Sequence, residues 1–175
     1  MENKKGFIAT QIYPSPCGAL IIGTYDNNIC LCDWQISRHH DENKKKLEKI
    51  YKVPIIMTGN ALIDQTKHQL DEYFNGKRTI FDLPIAMNGT DFQKKVWREV
   101  SKINYGEVVS YRLLAEKIGN PQAVRAVANA NARNMLSILV PCHRVIGTNG
   151  NLTGYNAGTP IKGFLLECER DNVLL

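Results

Sequence analysis

Three things are missing from this sequence, and each absence closes off a class of protein. No apolar run approaches the 18 or so residues that cross a bilayer as a helix. The opening Met1-Glu2-Asn3-Lys4-Lys5-Gly6 lacks the apolar stretch of a secretory signal, so the expected location is cytoplasmic. The cysteines number five, an odd count with no secretory targeting, and none forms a CxxC pair. That pattern argues against a disulfide framework and for a reducing compartment. Disorder is excluded by the opposite measure, because 43% of the 175 residues are hydrophobic, enough for a real core in one or two domains.

Charge is unevenly spread. Residues 1–85 carry 11 Lys and Arg against 10 Asp and Glu, whereas residues 86–175 carry 11 against 7. The second half is therefore where a polyanion would dock. The apolar pattern divides the chain at the same place. In residues 1–85, β-branched stretches around Ile8–Tyr13, Ala19–Tyr25 and Ile29–Trp34 are separated by Pro14-Ser15-Pro16 and Asp26-Asn27-Asn28, which predicts a small antiparallel meander. The charged segment 38–52, with Lys44-Lys45-Lys46 at its centre, reads as a solvated loop or surface helix. From Asn60 to Asn75, Leu62, Ile63, Leu70, Tyr73 and Phe74 recur at helical spacing, and Gly76 is placed to end the helix. Phe81–Met87, with Pro84, reads as a linker.

Residues 86–175 read as mostly helical. Thr90 and Gln93 have the spacing of a capping box ahead of a helix with Phe92, Val96, Trp97 and Val100 on one face. Ser110 is expected to cap a short helix with Leu113, Leu114 and Ile118 inward and Gly119 at its end. Asn120 is expected to cap a second helix, Pro121–Ala130, with Pro121 in its first turn. Two helices joined by a short Gly-containing turn form a helix-turn-helix pattern. The second helix is unusual in its small side chains, Ala123, Ala126, Ala128 and Ala130, with Arg125 its one charge. A helix reading base edges in the major groove offers several long polar side chains. Small ones instead allow close backbone approach in the minor groove.

The chemistry concentrates at Val140-Pro141-Cys142-His143-Arg144-Val145. A thiol in apolar surroundings is inert unless a base activates it, and His143 is the adjacent candidate. Pro141 fixes φ and extends Val140, which predicts that Cys142 stands at a strand-to-turn corner. In the loop Gly147–Gly158, glycines at 147, 150, 154 and 158 suit a lid, with Tyr155 packing on a flat base. The terminal segment has Ile161, Phe164, Leu165 and Cys168 at inward helical spacing.

Pro141–Val145 resembles the active-site signature of the O6-alkylguanine-DNA alkyltransferases. The resemblance extends through Gly89-Thr90-Asp91-Phe92-Gln93, Val96-Trp97, Gly106–Tyr111, Ala123–Val127, Asn134, Thr153-Gly154-Tyr155 and Glu169, about half the chain in one order. It implies a ribonuclease-H-like α/β support domain (1–85) with a small antiparallel sheet, then a mostly α-helical domain (86–175) with a winged helix-turn-helix. It implies irreversible, single-turnover transfer of methyl from guanine O6 in DNA, with O4-alkylthymine a second candidate lesion, to Cys142 after base flipping. No cofactor is expected, and the partner is double-stranded DNA met by a monomer through the minor groove.

The resemblance also implies roles for individual residues. Cys142, His143 and Glu169 form a relay through a bridging water. Tyr111 hydrogen-bonds the flipped guanine, and Asn134 braces the turn ahead of the cysteine. Arg125 fills the hole left in the base stack, and Gln122, Tyr111, Ala126 and Asn129 lie on the DNA face. Val145, Tyr155, Asn156 and Met135 line the base pocket. Met135, Ser137 and Asn156-Ala157-Gly158 depart from the pattern of many relatives, which leaves pocket width open. Some relatives hold a structural zinc, for which Cys17, Cys30, Cys32, His39 and His40 are the candidates, but no paired spacing supports a metal here. The competing readings are a damage-recognition protein of the alkyltransferase-like kind, which lacks the acceptor cysteine, and a Cys-His hydrolase.

Overall fold

The computed structural model describes residues 6–173 and divides the chain into two compact units, residues 1–88 and 89–175. Residues 1–5, read above for a leader, lie outside the described residues. The first unit is built on the expected meander of β1 (Ile8–Ser15), β2 (Gly18–Tyr25) and β3 (Asn28–Trp34). Tyr13 pairs with Leu20 and Leu20 with Trp34, all three buried on one sheet face. The β2–β3 turn places Asp26 and Asn27 at φ 49° and 58°, the primed geometry that short polar residues tolerate and that matches strand twist.

A fourth strand, β4 (Ile55–Met57), was not legible in the sequence; it pairs parallel to β1, giving the order β3-β2-β1-β4 and a mixed sheet. The charged segment 38–52 forms helix α1 (His40–Tyr51), whose Leu47 is fully buried. Helix α2 (Ala61–Phe74) begins where Asn60 accepts a hydrogen bond from Ile63 N, and Gly76 at φ 68° ends it. The expected linker is not free of the sheet, since Ile29 N donates to Pro84 O and Ala86 N to Ile29 O. Among the described residues, no group of three or more His, Cys, Asp or Glu is placed to hold a metal ion.

In the second unit, helix α3 (Asp91–Val100) starts on a complete capping box between Thr90 and Gln93. Strand β5 (Val109–Ser110) leads directly into α4 (Tyr111–Lys117), where the Ser110 hydroxyl accepts from Leu113 N. Helix α5 (Val124–Ala132) packs on α3 and α4, strand β6 (Val145–Ile146) pairs parallel to β5, and α6 (Thr159–Val173) closes the unit.

Three expectations are corrected. Leu113 is exposed, because the buried face of α4 runs through Tyr111, Leu114, Ala115 and Ile118, the i, i+3, i+4, i+7 positions. Phe164 is likewise exposed, and α6 buries Ile161, Lys162, Leu165 and Glu169 instead. Asn120 does not cap α5. Ala123 N donates to Asn120 O, so Asn120-Pro121-Gln122-Ala123 is a separate turn with Pro in its favoured second position, and the helix starts at Val124.

Trp97 ties α3 to α5: its ring is buried, and Nε1 donates to Ala130 O at 2.8 Å. A Cβ on Gly89 would fall 2.5 Å from that ring, so only glycine fits there. Trp97→Phe removes a buried donor and some volume, and should lower stability by about 1–3 kcal/mol in urea unfolding. An unchanged midpoint would show that the bond contributes nothing.

Candidate active site

The segment from Asn134 to Pro141 is folded around one buried amide. Asn134 Nδ2 donates to Val140 O at 2.9 Å and to Cys142 Sγ at 3.1 Å, while its Oδ1 accepts from Leu136 N at 2.9 Å. Val140 N closes the turn onto Leu136 O at 2.8 Å. Within it Ile138 is held at φ 71°, a conformation that costs a β-branched residue about 1–3 kcal/mol and persists only where surrounding bonds over-determine it. The cysteine does not follow a strand as expected. Val140 makes a single bridge to Ser137 because Asn134 takes its carbonyl, and Pro141 leads into a one-turn 3₁₀ helix, Cys142–Arg144, with strand β6 after it. Asn131, not singled out in the sequence, donates from Nδ2 to Cys142 O at 3.1 Å.

The next residue meets α6. His143 Nε2 lies 2.6 Å from Glu169 Oε1, with both side chains buried. Arg144, also unforeseen, grips the same carboxylate through Nε at 2.9 Å and Nη2 at 3.0 Å, and donates from Nη1 to Ile103 O. Gly106 N adds a fourth donor to Glu169, at 3.1 Å. Burial alone would raise the Glu169 pKa, but His143 and Arg144 outweigh it and hold the carboxyl well below the usual carboxylate range. Burial pushes His143 down, so its imidazole is neutral at pH 7, and Nδ1 has no hydrogen-bond partner among the described residues. Both shifts have one sign: the unfolded chain takes up protons that the folded one refuses. The stability that these two groups contribute is therefore full above the ordinary histidine value of 6.5 and falls as pH is lowered through it.

The β5–β6 pair brings Tyr111 beside this strand. Tyr111 is buried, its hydroxyl donates to Thr153 O at 3.0 Å, and burial, then the nearby Cys142, push its pKa up to about 12. At ordinary pH it is a phenol and a donor. Lys162 reaches the same place from α6, fully buried, with Nζ 2.6 Å from Val145 O and 2.8 Å from Thr153 O.

Cys142, His143, Glu169, Asn134 and Tyr111 are thus brought together, and the expected pocket residues Met135, Val145, Tyr155 and Asn156 are all buried. Of the expected DNA-face residues, Gln122, Arg125, Ala126 and Asn129 are exposed, the last three on α5, whereas Tyr111 is buried. Arg144 and Lys162 escaped sequence reading because a lone cation in an amphipathic pattern is expected at the surface.

The family described as 6-O-methylguanine DNA methyltransferase, DNA binding domain, matches residues 91–171, and its ribonuclease-like domain matches residues 8–87. A methylated-DNA--protein-cysteine methyltransferase of Methanosarcina barkeri is 40% identical over 164 residues, which cover 93% of this chain and 98% of that protein. The constitutive one of Bacillus subtilis is 43% identical over 165 residues, covering 89% and 92%. The crystal structure of Mycobacterium tuberculosis OGT in complex with DNA matches with a TM-score of 0.80 at 34% identity, covering 94% of each chain.

Proposed function

The chain belongs to the 6-O-methylguanine DNA methyltransferase family, and on that premise we propose that it takes the alkyl group of O6-alkylguanine in duplex DNA onto the sulfur of Cys142. It is a DNA-binding, methylated-DNA--protein-cysteine S-methyltransferase that repairs by direct reversal. The observation that carries the reading of the site is a buried thiol, held by Asn134 at 3.1 Å, next in sequence to a histidine clamped to a buried carboxylate at 2.6 Å.

Each group has a task. The neutral His143 accepts the Cys142 proton through a water at its unpartnered Nδ1, and Glu169 stabilises the imidazolium that results. The thiolate attacks the methyl carbon, the C–O bond breaks, and its electron pair stays on the guanine, which recovers one proton. Tyr111, a donor across the ordinary pH range, hydrogen-bonds that departing base and stabilises its developing charge. Asn134 fixes where the sulfur points. The product is a thioether with no easy return, so each molecule acts once. The duplex is met by a monomer, with the α5 face of Arg125, Ala126 and Asn129 in the minor groove, and the thiol is kept reduced in the cytoplasm.

A damage-recognition protein without transfer is the second reading, and the presence of the Cys142 thiol weighs against it. Cys142→Ser should abolish transfer of labelled methyl from O6-methylguanine duplex while leaving duplex binding within about twofold, since phosphate contacts carry most of the affinity. Methyl transfer that survives this substitution, on any other residue, would overturn the assignment.

A further inference from the structure

Lys162 is fully buried, and among the described residues its ammonium donates to uncharged oxygens and lies over the Tyr111 ring. Burying an ammonium is unfavourable unless its protons are well placed, and an apolar side chain would fill the same space without that cost. The compensation is specific. Nζ donates to Val145 O at 2.6 Å, to Thr153 O at 2.8 Å and, more weakly, to Tyr111 Oη at 3.5 Å. These atoms belong to three segments: β6, the loop 147–158 and the start of α4.

The loop needs such a tie. Its first turn closes on itself, Gly147 N donating to Asn151 O and Gly150 N to Gly147 O, and Gly150, Gly154 and Gly158 all have positive φ. Thr153 O takes two donors, Tyr111 Oη–H and the Lys162 ammonium. The loop also passes very close to Tyr111, since a Cβ on Gly154 would fall 2.7 Å from its hydroxyl. When Tyr111 turns its proton toward a base in the pocket, Thr153 O keeps its second donor and the loop stays down.

We propose that Lys162 is a positioning residue that staples the 147–158 loop across β6 and α4, and that the staple sets how large an alkyl group the site accepts. The proposal rests on the alkyl-transfer reading above for its second half only. Burial pulls the Lys162 pKa down to about 8 while the nearby Cys142 opposes the shift, so the ammonium is still mainly charged at neutral pH. The other titratable groups around it are Tyr111 on α4 and His143 in the 3₁₀ turn.

The test uses the full chain with Lys162→Met and Lys162→Arg at pH 7. Amide hydrogen exchange reads the staple, and transfer from duplex O6-methylguanine and O6-benzylguanine reads the gate. In Lys162→Met, protection of residues 151–155 should fall about tenfold or more while α3 and α5 keep theirs, the loss of one or two charge-assisted bonds. The benzyl-to-methyl rate ratio should rise about fivefold or more, and Lys162→Arg, which keeps the charge and donors but is larger, should lie between Lys162→Met and the parent in both. If Lys162→Met does not fold, Lys162→Gln, which is uncharged and one atom shorter and so does not span both carbonyls, carries the same comparison against the parent. Unchanged loop protection, or an equal fall throughout the unit, would overturn the staple; a lost staple with an unchanged ratio would overturn the gate. If the parent chain transfers no alkyl group at all, the functional reading fails while the exchange experiment still decides the staple.

Discussion

Glu169→Gln should slow methyl transfer by about 10²-fold or more and destabilise the second unit at the same time. Orientation and charge support for a general base are together worth about 10²–10⁴ in rate. Removing one member of a buried ion pair costs about 3–5 kcal/mol, because Arg144 then keeps its charge with no counter-charge. Here the carboxylate serves His143 at 2.6 Å, Arg144 at 2.9 and 3.0 Å and Gly106 N at 3.1 Å, so the neutral amide must fail at least one of them. Urea unfolding gives the stability change, and single-turnover transfer in the folded range gives the rate. A variant with parental rate would show that His143 works without its carboxylate. A variant with parental stability would show that Arg144 finds another partner.

Arg125→Ala should leave the fold intact and slow repair of duplex DNA by about 10²-fold, because holding a base out of the stack costs a few kcal/mol and each 1.4 kcal/mol is tenfold. Arg125 is exposed on the same face of α5 as Ala126 and Asn129, so its loss removes no core contact. The comparison is with free O6-alkylguanine base, which needs no flipping and should react at close to the parental rate. Equal slowing of both substrates would place Arg125 in support of the pocket instead.

Much of this was legible in local sequence. The Thr90–Gln93 capping box and the Ser110 cap each rest on residues three positions apart, and both form as read; Asn60 caps its helix in the same way, unread. The misreadings came where two local rules competed. Asn120-Pro121 satisfies the chemistry of a helix start and of a turn equally well, and the turn won because Ala123 N closes on Asn120 O. β4 has three residues and gains its place only by pairing with β1, which no local pattern announces. Within the site, Cys142-His143 drew attention on its chemistry alone. Glu169, 26 residues further on, was visible only through the family resemblance, because its partner is fixed by tertiary packing. Arg144 and Lys162 were hidden more deeply, since burying them depends on carboxylate and carbonyl partners from distant segments.

The most direct measurement is the mass of the intact chain, followed by peptide mapping, after incubation with excess duplex DNA carrying O6-methylguanine. The expected result is one added methyl group per molecule, on the sulfur of Cys142, with one guanine restored for each molecule and no further turnover. Methyl found on another residue, or several guanines restored per molecule, would contradict it.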